Sequence, residues 1–132
     1  MTPVEHFRTV LHSLADGKPL PDLSADWLLN GLIRHVRGEP LESALALTPA
    51  NRTKARNHAL MAAAESLGAT DSQWHRAVLL QKAIARFESR IWPKIRYETD
   101  PDLPPIDAAL FRAFTSGARP LRSARRLYEL IR

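Results

Sequence analysis

Apolar residues recur along this chain three and four positions apart, in blocks separated by glycines, prolines and short polar stretches. That is the spacing of amphipathic helices. The longest block covers residues 70–92, where Ala77, Leu80, Ile84, Phe87 and Ile91 make one apolar stripe and Lys82, Arg86 and Arg90 step along another face. Thr70 and Gln73 have capping-box spacing. Pro93 has no N–H and crowds the turn before it, so it ends or kinks the run. The pattern predicts a central helix with one face in a core and another facing water or an anion.

The same periodicity divides the rest of the chain. A helix over residues 3–15 starts at the Thr2 cap, turns Val4, Phe7, Val10, Leu11 and Leu14 inward, and stops at Gly17. A second, over residues 25–37, takes Ser24 as its cap, faces Leu28, Leu29, Leu32 and Val36 inward and puts Trp27 at its edge. Gly31 inside it costs roughly 1 kcal/mol relative to alanine, which points to a close crossing with another helix. A short helix spans residues 40–47. Thr48 and Pro49 then start a fourth helix that runs to Leu67 and packs through Leu60, Ala63, Ala64 and Leu67. Residues 98–105 contain three prolines and three acids and read as a linker. Two further helices cover residues 106–115, with Ile106, Leu110, Ala113 and Phe114 inward, and residues 120–131, with Leu121, Ala124, Leu127, Tyr128 and Ile131 inward.

No run alternates with period two, and no Asn-Gly or Asp-Gly turn joins two apolar runs. The expectation is an all-α fold, a single compact domain of six or seven helices in an orthogonal or bundle-like array. It would comprise a helical core over 1–97, the linker over 98–105 and a basic helical hairpin over 106–132 packed on the core.

Composition narrows the chemistry. The chain has 132 residues, the size of one domain, and no cysteine, which excludes disulfides, thiolate metal sites and thiol catalysis. The opening MTPVEHFRTVLHSL lacks the basic start and apolar run of a signal peptide. No segment approaches the ~18 apolar residues of a membrane helix. A cytoplasmic protein with no membrane contact is expected. The five histidines have no metal-ligand spacing, the serines sit in no nucleophile motif, and the five glycines form no phosphate loop. Neither an enzyme nor a cofactor or metal is expected.

Charge changes the picture most. The net charge is +5, and only Lys18, Lys54, Lys82 and Lys94 among the 19 basic residues are lysine. Arginine's planar fork suits phosphates, although a codon bias toward arginine would leave the same mark. Residues 112–132 hold six arginines against the single acid Glu129, a net of +5, so the remainder balances to zero. Arg119, Arg122, Arg125 and Arg126 are expected opposite the apolar stripe of the last helix, as a phosphate-binding row. Arg52, Lys54 and Arg56 form a second basic edge, with Asn51, Thr53 and Asn57 as the clustered residues able to read bases. Residues 40–60 and 109–130 each have the outline of a helix-turn-helix, with basic or polar residues at positions that ordinarily hold apolar ones. Trp27, Trp74 and Trp92 could stack on bases or anchor an interface.

These features lead to the expectation of a small basic nucleic-acid-binding protein, of the bacterial or phage DNA-binding kind, with DNA favoured over RNA. The alternatives are a helical adaptor or inhibitor on an acidic protein surface, or a small subunit of a ribonucleoprotein. A homodimer is a further option for assembly.

Overall fold

Thr2 defines the first helix. Its hydroxyl accepts from the Glu5 N–H at 3.2 Å, the Glu5 carboxylate accepts from the Thr2 N–H at 2.9 Å, and Pro3 takes the first helical position. In the computed structural model, which describes all 132 residues, every regular element is helical. The elements are α1 (Pro3–Asp16), α2 (Asp22–Val36), α3 (Leu41–Ala44), α4 (Pro49–Glu65), α5 (Gln73–Arg86), a π-helical turn (Phe87–Ile91), α6 (Trp92–Ile95), α7 (Pro105–Phe114) and α8 (Ala124–Ile131). With the continuous run from Gln73 to Ile95 counted once, this is a seven-helix all-α chain. No helix is long and apolar enough to cross a membrane. The chain forms two compact units, Met1–Arg52 and Thr53–Arg132, and the division falls inside α4.

In the first unit Val4, Val10, Ala44, Leu45 and Leu47 are buried. The His6 ring stacks on Trp27 with centroids 5.6 Å apart, and Trp27 Nε1 donates to the Leu45 carbonyl at 3.1 Å. Gly31 marks the expected close crossing: a Cβ there would lie 2.2 Å from Leu45 Cδ2, so α2 meets the segment around α3 only because no side chain intervenes. Two expectations fail here. Ser24 does not cap α2, which starts at Asp22; its buried hydroxyl pairs instead with His6 Nδ1 at 2.9 Å. Phe7, Leu11 and Leu14 of α1, and Leu29, Leu32 and Val36 of α2, are exposed. A pair of helices and the single turn of α3 offer too little surface to cover both stripes, so each helix makes contact one step around its circumference.

The second unit buries the centres of its stripes and partly covers their ends. Leu60, Ala63 and Ala64 of α4 pack with Ala77, Leu80, Ile84, Phe87, Leu110, Ala113 and Leu127 in one cluster, where the alanines allow close helix approach. The cap of α5 is Ser72, whose hydroxyl accepts from the His75 N–H at 3.0 Å, and not Thr70, whose hydroxyl donates to the Ser72 carbonyl. Pro93 does not end the helix. The Trp92 N–H reaches back five residues to the Phe87 carbonyl, and this wider turn precedes the proline ring and lets the helix continue to Ile95. Trp92 faces Phe87, Phe111 and Phe114, with ring centroids 6.2, 6.0 and 5.3 Å away.

The largest departure lies near the C-terminus. The last helix begins at Ala124, not at residue 120, with the Ser123 hydroxyl accepting from the Arg126 N–H at 3.2 Å. Ser123, whose hydroxyl caps the Arg126 N–H, sets the start instead. Residues 115–123 are therefore a second long irregular stretch beside the proline-rich one. Its first residues are held by buried Ser116, whose hydroxyl donates to the Ala113 carbonyl and accepts from the Ala118 N–H.

Candidate nucleic-acid interface

Because α8 starts late, the four arginines expected in one helical row split into two pairs. Arg125 and Arg126 lie on α8, while Arg119 and Arg122 lie on the irregular segment before it. All four are exposed. Leu127 on the opposite side of α8 is fully buried, so Arg125 and Arg126 do face away from the apolar stripe.

Arg56, from the other predicted edge, meets this segment. Its Nη1 donates to the Arg119 main-chain carbonyl at 2.8 Å, and its Nε and Nη2 donate to Asn57 Oδ1 at 3.1 and 2.8 Å. Every partner of this guanidinium is neutral. Burial first, and then the neighbouring Arg126 charge, push Arg56 below the ordinary arginine value, yet an arginine stays charged across the working pH range. No ion pair joins Arg56, Arg119 or Arg126 to a carboxylate. The Arg56 and Arg126 charges are thus held near one another without a paired carboxylate.

The other two arginines differ. Arg122 forms a two-pronged pair with Glu88 at 2.6 and 3.0 Å, and its carbonyl accepts from Gln81 Nε2 at 3.0 Å. The Glu88 hydrogen bond and charge hold the Arg122 guanidinium above its ordinary value and the Glu88 carboxyl below its own. This pair ties the 115–123 segment to the run that continues α5. Arg125 has Glu129 one turn on, at 3.5 Å.

The remaining predicted residues are tied into local structure or stand apart. Asn51 Nδ2 donates to the Ala46 carbonyl at 2.7 Å, and its N–H reaches the Thr48 hydroxyl at 3.3 Å. Ala46 adopts a left-handed φ of 57°, which a β-carbon disfavours, so Asn51 fastens a strained turn. Arg52 donates to the Leu47 carbonyl and lies 3.6 Å from Glu42. Lys54 is exposed on α4. Neither helix-turn-helix outline keeps the usual shape of two full helices and a turn of three or four residues. In the first, α3 is a single turn; in the second, nine residues separate α7 from α8.

Two features were under-read in the sequence. Lys82, Arg86, Arg90 and Lys94 are all exposed and four residues apart, and the π turn, wider than an α turn, keeps this row from drifting around the helix. Only Lys82, Arg86 and Arg90 were recognised as a row, because Pro93 masked its continuation. Trp74 is half exposed, edge-on to Tyr128 at 5.7 Å, whereas Trp27 and Trp92 are partly buried and packed on His6 and Phe114. No family model, curated protein or solved structure matches the chain.

Proposed function

We propose that this protein binds nucleic acid through the basic surface of its second unit, with the phosphate backbone of a DNA duplex as the ligand. The supporting observation is Arg56, held against the Arg119 main chain and within reach of the Arg126 charge, with no carboxylate paired to any of the three arginines. A phosphate supplies the missing counter-charge, and arginine's donor fork matches its oxygens. Arg125 extends the group along α8, and the exposed face of Trp74 offers a surface on which a base could stack. The binding is of the kind that positions a protein without reading sequence. Of the two asparagines considered for base readout, Asn51 is engaged with Ala46 and Asn57 with Arg56.

The test is a titration of mixed-sequence duplex at several salt concentrations. Four phosphate contacts predict that the logarithm of affinity falls with log salt at a slope of roughly −4. The double variant Arg119→Ala/Arg126→Ala removes two exposed side chains and should flatten that slope by nearly two. Absence of binding at low salt, or an unchanged slope in the folded double variant, removes this surface from the reading. Tight capture of an acidic protein by the same arginines would favour the adaptor alternative instead.

A further inference from the structure

The first unit leaves apolar surface uncovered on two helices. Exposed side chains on α1 are Phe7, Leu11 and Leu14, and on α2 they are Leu29, Leu32, Ile33 and Val36, with Leu14 at 68%, Leu29 at 56% and Val36 at 86%. Their exposed fractions add up to roughly four whole apolar residues, a large share for a unit of this size. The spacing is specific. Phe7, Leu11 and Leu14 are four and three apart, and Leu29, Leu32 and Val36 are three and four apart, which is the alternation of a helix-packing seam. Beneath these seams the unit's own core is small, and units of this size commonly need a disulfide or an assembly partner to hold. The chain has no cysteine to form the disulfide.

Charge identifies the partner. The α2 seam has Asp22 and Asp26 toward its N-terminal end and Arg37 beyond its C-terminal end, while Arg34 is already paired with Glu39 at 2.7 Å. A uniformly acidic or basic partner would be mismatched along half of this border. An antiparallel copy of the same helix matches both halves, because a two-fold axis sets the acids of one copy toward the arginine of the other. The unit holds five basic and six acidic side chains, a net of −1, so its own charge sets little repulsion against a second copy. We propose that a second copy of this chain docks here, with α2 against α2 in antiparallel orientation and the α1 seam alongside. The proposal is independent of the nucleic-acid reading.

Sedimentation equilibrium of the full chain tests it. The expected mass is that of a dimer, and Leu29→Glu/Leu32→Glu should halve it while the helical circular dichroism is kept. Should that variant unfold, the cysteine-free background gives a second measurement. Leu32→Cys, near the proposed axis, should form a disulfide-linked dimer under mild oxidation, and Glu65→Cys, on α4, should not. A wild-type chain that remains monomeric up to millimolar concentration overturns the proposal, including when the face is covered only on adding a different protein. So does a dimer that persists in the folded double variant, or a Leu32→Cys chain that cross-links no faster than Glu65→Cys.

Discussion

The two units divide the chain's properties unevenly. Met1–Arg52 carries five basic and six acidic side chains, a net of −1, and leaves its helical stripes open. Thr53–Arg132 carries fourteen basic and eight acidic side chains, a net of +6, and buries the centres of its stripes, with Leu80, Phe87, Leu110 and Leu127 all at 0% exposure. The amphipathic signal is equally clear in α1, α2 and α5. What differs is the number of helices available to receive it. Periodicity marks the face of a helix that needs covering, and leaves open whether the cover comes from the same chain. The basic charge gathers on the unit with the complete core, where fixed backbones can hold repelling arginines in place.

The sharpest way to break this comparison is to truncate one aromatic side chain in each unit. Phe87→Ala removes a fully buried ring that packs edge-on to Phe114 at 5.1 Å, and should cost about 3–5 kcal/mol in a urea unfolding experiment. Phe7→Ala removes a ring that is half exposed, and at protein concentrations low enough to keep the chain monomeric should cost about 1 kcal/mol or less. Equal costs would mean that the first unit's stripe is covered after all within one chain.

The next effect tests the one place where the first unit is tight. In Gly31→Ala the new methyl falls 2.2 Å from Leu45 Cδ2, 3.1 Å from Leu45 Cγ and 3.2 Å from the Ala44 carbonyl oxygen. Leu45 can rotate partly aside, but the carbonyl belongs to the backbone. Overpacking of about 1–3 kcal/mol opposes a helix-propensity gain of up to about 1 kcal/mol, leaving a net loss of roughly 1 kcal/mol. A stabilised variant would show that α2 and α3 separate easily, and the first unit would then be looser than described.

Much of the fold was legible because helical spacing and local caps carry it. The Thr2 cap, the Gly17 stop, the Thr48 start and the stripe through Leu80, Ile84 and Phe87 all depend on residues within one or two turns of each other. The errors came where two local signals competed or where a distant residue intervened. Ser72 displaced Thr70 as a cap, and Ser123 displaced the start at Pro120. Ser24 was taken from its capping role by His6, 18 residues away. In the candidate site the arginine excess was visible, but its partition was not. Arg56 meets Arg119 across 63 residues and Arg122 meets Glu88 across 34, and no periodicity encodes such pairings.

The smallest expected effect concerns the acid that separates Arg122 from its neighbours. The Glu88 carboxyl is held below its ordinary value chiefly by the Arg122 hydrogen bond, with burial opposing and the Arg122 charge adding to the pull. A carboxylate whose folded value is depressed contributes stability that is fully present above its unfolded value, about 4.3, and is lost as pH falls through the folded value. The difference in melting temperature between wild type and Glu88→Gln should therefore be constant from neutral pH down to about pH 5 and shrink below it. Arg122→Ala should abolish the same pH dependence while leaving the DNA salt slope unchanged, because its charge is already met within the fold. Arg126→Ala should do the reverse, flattening the slope by nearly one and leaving the acid limb of the melting profile as it was. If Arg122→Ala flattened the slope as much as Arg126→Ala, the ion pair would open on binding, and the division between a structural and a ligand-facing arginine would fail. A melting difference that persisted undiminished to pH 3 would instead show that Glu88 is not the group titrating there.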